Sequence, residues 1–133
     1  MSDDGTKLAA VVFDGRLYTF SDGGVIWIDR STPTGSEIAG NKKWYSIAMS
    51  DNGEKLAAVV GGYVAAGRHL YTYSDSGATW TNRSTAADSE IAGDKYWRSI
   101  AMSDNGDELA AVAYNGHLYT ATNSGADWTD RSE

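Results

Sequence analysis

Glu37 and Glu90 stand at matching places, each inside Ser-Glu-Ile-Ala-Gly. Two carboxylates about 5–10 Å apart are the equipment of glycoside hydrolysis. His69 and His117 also match each other, and paired imidazoles are the beginning of a metal site. Arg30, Arg83 and Arg131 share the segment Trp-x-Asp/Asn-Arg-Ser, and clustered guanidinium groups clamp carboxylates. Each of these groups, however, recurs in register along the chain. Catalysis gathers unlike groups at one place, whereas a group written once per repeat serves the repeat. The arginines are therefore expected in structural ion pairs or carbonyl contacts, and the glutamates at a structural or rim position. The histidines, aligned with Arg16, are expected along an exposed edge. No catalytic group, metal or cofactor is expected. Asp51-Asn52-Gly53-Glu54 is too short for the roughly twelve-residue loop of a calcium site. Gly61-Gly62 lacks the Lys-Ser/Thr ending of a phosphate loop. The chain has no cysteine, which removes disulfides, thiolate metal sites and a cysteine nucleophile.

The elements that must position these residues are themselves repeated. Trp44 to Gly53 returns almost unchanged at Trp97 to Gly106, and Leu-Tyr-Thr occurs at Leu17, Leu70 and Leu118. Trp27, Trp80 and Trp128 close the three blocks; the last two are 48 residues apart and the first two 53. The extra five residues fall between Val60 and Leu70. The chain thus reads as one unit, 1–133, with repeats at 1–43, 44–96 and 97–133 and no first strand in the first. Repeats two and three are close enough to suggest recent amplification or an engineered fragment.

Each repeat reads as four short strands. The spacing predicts strand A over 44–50, strand B over 55–60, strand C over 69–74 and strand D over 79–84. Asn52-Gly53 suits a tight turn because both positions tolerate positive φ. Leu56-Ala57-Ala58-Val59-Val60 is apolar on both faces, so its sheet is covered on both sides. Four-stranded antiparallel sheets recurring every 40–50 residues are the blades of a β-propeller. The expected class is all-β, with about three blades in this chain.

The segment before each closing tryptophan resembles the Asp-box, or BNR repeat, S/T-x-D-x-G-x-T-W. Asp75, Gly77, Thr79 and Trp80 carry it in repeat two. Asp22, Gly24 and Trp27 carry it in repeat one, with Ile26 in place of Thr. Gly125 and Trp128 remain in repeat three, where Asn123 and Asp127 replace Asp and Thr. Asp-box propellers include sialidases, xyloglucanases, sortilin-type receptors and photosystem II assembly factors, so the resemblance implies a propeller rather than one activity. It implies a structural turn at each box, with the tryptophan packed between blades. Each such ring buries about 150–250 Å², which is about 4–6 kcal/mol before opposing entropy. A sialidase would need an arginine clamp and a tyrosine–glutamate pair at one site; arginines repeated on outer strands do not supply it.

A propeller typically has four to eight blades. Three blades leave two open faces, and exposed apolar faces and strand edges drive association. The expectation is closure by self-association, a homodimer of six blades. The insertion and the long loops before strands A emerge at one end of the sheets, where binding residues gather on a regular scaffold. Tyr63, Arg68, His69 and Tyr96 are the candidate ligand contacts, for a glycan or a protein. A lectin-like propeller is the alternative, and a fragment of a sialidase-type hydrolase a more distant one. The charge of -7, from 11 Lys+Arg against 18 Asp+Glu, argues against a nucleic-acid partner. No apolar run approaches the ~20 residues of a membrane helix, and no signal peptide is read at Met1-Ser2-Asp3-Asp4-Gly5.

Overall fold

Leu56-Ala57-Ala58-Val59-Val60 divides its side chains between two cores. Leu56, Ala58 and Val60 join Leu17, Trp44, Tyr71 and Trp80 in one. Ala57 and Val59 join Leu70, Trp97, Tyr119 and Trp128 in the other. Strand alternation produces this split, and it makes the middle sheet the shared wall of both cores. The structure is a computed structural model that describes residues 1–21, 26–32, 36–62, 67–74, 79–86, 89–114 and 116–132.

Twelve strands are described. They are β1 (Leu8–Val11), β2 (Phe13–Gly15), β3 (Leu17–Phe20), β4 (Ile28–Asp29), β5 (Lys42–Met49) and β6 (Lys55–Val60), then β7 (Leu70–Ser74), β8 (Thr79–Asn82), β9 (Trp97–Met102), β10 (Leu109–Ala113), β11 (Leu118–Thr122) and β12 (Asp127–Asp130). They form three antiparallel sheets. The first is ordered β1-β3-β4, the second β2-β5-β6-β7-β8, and the third β9 to β12 in sequence order. The second and third are meanders, apart from β2. This short strand lies in the turn between β1 and β3 and crosses to the edge of the second sheet, placing Phe13 opposite Lys43.

Strand B over 55–60 coincides with β6. Strand D ends sooner than its pattern suggests, at Asn82 rather than Ser84, because side chains take over from the ladder. The Asn82 carboxamide accepts from the Ser84 amide, which starts a 3₁₀ turn over Arg83–Thr85. The Ser84 hydroxyl then accepts from the Leu70 amide at 3.0 Å. Ser31 does the same for Leu17 at 3.0 Å, and Ser132 for Leu118 at 2.7 Å.

The loops that lead into β5 and β9 are anchored by an isoleucine each. Ile38 and Ile91 have no exposed surface. Gly40 and Gly93 then return the chain at positive φ, donating to the carbonyls of Ser31 and Ser84, both at 3.0 Å.

Candidate binding face and the open edges

The repeated polar groups hold sheets together. Arg30, Arg83 and Arg131 each donate through Nε to a threonine hydroxyl on the neighbouring strand. Their partners are Thr19 at 2.7 Å, Thr72 at 2.7 Å and Thr120 at 3.0 Å. The acceptor is therefore a side-chain hydroxyl, not the carboxylate or carbonyl that repetition alone suggests. Glu37 accepts from the Asn82 amide and Glu90 from the Asp130 amide. Each glutamate thus fastens a connecting loop to the outermost strand of the sheet that follows it. Arg16, His69 and His117 each pair with the residue opposite on the outer strand. Arg16 meets Asp29 at 3.0 Å, His117 donates to Asp130 at 2.7 Å, and His69 Nδ1 accepts from Asn82 at 2.8 Å.

Three of the four candidate ligand contacts come together around one carboxylate. Asp94 Oδ1 accepts from the amides of Gly67 and Arg68 at 3.0 and 2.9 Å. His69 Nε2 lies 3.4 Å from the same oxygen, and an Arg68 guanidinium nitrogen lies 3.8 Å from Oδ2. The Arg68 guanidinium covers the Tyr96 ring at 4.3 Å. Tyr63 lies outside the described residues, as do Asp22, Gly24, Asp75 and Gly77. Behind this cluster, burial, then the charges of Glu37 and Asp94, push the Tyr71 hydroxyl up to about 12. Burial alone lowers Lys42, whose ammonium sits 5.7 Å from the Tyr71 ring.

A second group at the same end is absent from the sequence reading. β5 is bulged between Trp44 and Ser46, and the β9–β10 pairing is bulged beside Arg98. A bulge drops one residue out of the ladder and re-aims its side chain. The residues released are Tyr45 and Arg98, and they meet: the Arg98 guanidinium stands 5.0 Å from the Tyr45 ring and 4.8 Å from Tyr114. Phe13 packs edge-on against Tyr45 at 5.5 Å, with Lys43 over it at 5.8 Å. Rings and cations thus alternate from the edge of the second sheet across to the third. Phe13 is 57% and Tyr114 64% exposed. Such a surface can stack on a sugar or an aromatic side chain and hold an anion. Among the described residues there is no metal-binding group of three or more acids or histidines.

Of the three turns that resemble the Asp-box, only the third has its glycine among the described residues. Asn123 and Ser124 adopt positive φ before Gly125, and Trp128 Nε1 donates to the Gly125 carbonyl at 3.0 Å. Thr79 opens β8 and Trp80 follows it into the core between the first and second sheets. Trp128 fills the equivalent place between the second and third. Trp27 has no such place. It is 46% exposed, against 4% for Trp80 and 7% for Trp128. The opposite face of the third sheet is open too. Leu118 is 39% exposed where Leu17 and Leu70 are fully covered, and Val112 is 38% exposed where Val59 is covered.

No protein-family model matches the sequence, and no curated protein matches it either. Solved structures do. YCF48 bound to D1 peptide superposes over 97% of this chain with a TM-score of 0.67 at 18% identity. The GH74 xyloglucanase from Xanthomonas campestris superposes over 98% with a TM-score of 0.66 at 14% identity. The Cps50 (Swd1) β-propeller domain of Myceliophteria thermophila superposes over 98% with a TM-score of 0.60 at 11% identity. The chain spans 37%, 20% and 36% of those chains, respectively. At these identities the likeness speaks for architecture alone: three antiparallel sheets with shared apolar walls have the fold of β-propeller blades.

Proposed function

We propose that this chain is a non-enzymatic propeller module of the Asp-box type that completes its ring by pairing with a second copy and offers one face to a ligand. The observation that carries this reading is the contrast between Trp27 and its equivalents Trp80 and Trp128. One ring in three lies open, at the place where a preceding blade would cover it. Two copies give six blades, within the usual range, and the two-fold arrangement closes without leaving a free face. The absence of enzymatic function is supported by the use of the repeated Arg, Glu and His residues in fastening strands and loops.

The ligand face is the end bearing Phe13, Tyr45, Arg98 and Tyr114 beside the Arg68–Asp94–Tyr96 cluster. Exposed rings held by cations fit a protein segment, and YCF48, which shares the fold, is solved with a peptide. The same rings suit a glycan, which keeps the lectin-like reading beside the first. Light scattering at micromolar concentration tests the closure. The expected mass is about twice the 14.2 kDa of the chain, and a stable monomer overturns it. Glycan and peptide arrays probed with the wild type and with Arg98→Ala test the face.

A further inference from the structure

We infer that the second copy docks head to tail, seating its Trp27 in the groove on the open face of the third blade, in the register already used twice within the chain. The inference rests on the self-closing reading above and specifies its partner surface residue by residue.

Three features define that register. The first is a one-way ladder of amides. Asp3 donates to the Asp51 carbonyl at 2.8 Å, and Asp51 donates to the Asp104 carbonyl at 2.8 Å. Among the described residues no acceptor meets the Asp104 amide and no donor meets the Asp3 carbonyl. The pair left over is the pair that a further step of the same ladder would join. The direction of donation excludes a head-to-head pairing, which would set donor to donor.

The second feature is the shape of the walls. The cavity between the first and second blades has Thr19 and Arg30 on one side and Leu56, Tyr73 and Trp80 on the other. The open groove on the third blade is lined by Thr120 and Arg131, the same positions of the repeat as Thr19 and Arg30. It has one wall. The positions equivalent to Tyr73 and Trp80 are Phe20 and Trp27, and Trp27 stands 46% exposed on the first blade. Trp27 already rests on Phe20, with centroids 5.7 Å apart.

The third feature distinguishes the closing seam from the internal ones. Lys7 lies along Gly53 and donates to the Asn52 carbonyl at 2.9 Å. Lys55 lies along Gly106 and pairs with Asp107 at 2.6 Å. Glu108 occupies this position in the third blade, and in the same register it faces Asp4 and Thr6 of the second copy. A lysine bridges each internal seam; at the closing seam a carboxylate meets a carboxylate. Closure is therefore weakened by like charge and strengthened by salt, since exposed charges are screened.

The chain has no cysteine, so a designed pair reads cleanly. Asp3→Cys/Asp104→Cys is expected to give a covalent dimer on oxidation, released by reductant. Asp51→Cys/Asp104→Cys, across an internal seam, is the control and is expected to cross-link without change of mass. Trp27→Ala is expected to weaken association at least thirty-fold, as for a central aromatic anchor. Glu108→Lys is expected to tighten it two- to five-fold per seam. If the chain associates but the 3/104 pair gives no dimer, or Asp3→Cys cross-links to itself, the register is wrong and closure stands. If light scattering finds only monomer, closure fails and the inference with it.

Discussion

Arg83 Nε lies 2.7 Å from Thr72 Oγ1, joining the turn that ends β8 to the middle of β7. Thr72 is buried, so its hydroxyl has no water to fall back on. Thr72→Val keeps the shape and removes the acceptor. The expected loss is about 1–3 kcal/mol, the range for a hydrogen bond to a charged group and a donor left unsatisfied. Thr120→Val, in the more exposed third blade, should lose less. Urea unfolding of the two variants measures the difference.

Ser84 replaces a strand with a side chain, since its hydroxyl satisfies the buried Leu70 amide. Ser84→Ala strands that amide and is expected to cost about 1–3 kcal/mol. Hydrogen exchange at Leu70 should quicken in the variant, while exchange at Leu118 stays as it is.

Trp80 and Trp27 occupy the same place in the repeat but not the same environment. Trp80→Ala opens a buried cavity and is expected to cost about 3–5 kcal/mol. Trp27→Ala should leave the denaturation midpoint of dilute protein nearly unmoved. Equal losses at both positions would mean that Trp27 is covered within its own chain.

Acid should loosen the molecule late. The Ser132 hydroxyl, with the His117 imidazole and the Ser132 amide, holds the Asp130 carboxyl at about 2. The Ser2 hydroxyl, then the Thr6 amide and hydroxyl, hold Asp4 at about 2. Both are depressed below the ordinary carboxylate value of about 4. Their contribution is present above that value and is lost as pH falls through 2. Melting temperature should therefore drop steeply between pH 4 and pH 2, and less steeply in Asp130→Asn.

Asp51 behaves in the opposite sense. Desolvation, then the charges of Asp104 and Asp3, raise its carboxyl. A raised carboxyl favours the folded state when protonated, so this group works against folding at neutral pH. Asp51→Asn should raise the melting temperature at pH 7 and change it little at pH 3.

The strands and their order were legible because strand B is apolar on both faces and Asn-Gly turns punctuate it. The packing tryptophans were legible as a class, but which of them is covered depends on a neighbouring blade and not on the Trp-x-Asp/Asn-Arg-Ser segment they share. Asp94 was missed because it stands where the preceding repeat has Asn41, and a residue that occurs once has no register to announce it. Tyr45 and Arg98 were missed for a different reason. Both repeats carry the bulge, so the residue count between landmarks is unchanged. Alternation alone does not reveal that these two side chains leave the ladder and meet.

β6 answers to two neighbours, whereas β1 and β10 each answer to one. A methyl added to Ala57 presses on the third blade, and one added to Ala58 presses on the first. Sequence drift in β6 is thus confined to exchanges that conserve volume on both sides at once. The flanking strands have latitude on the side that no blade within the chain covers. Of the three blades, the middle one has the least room to change.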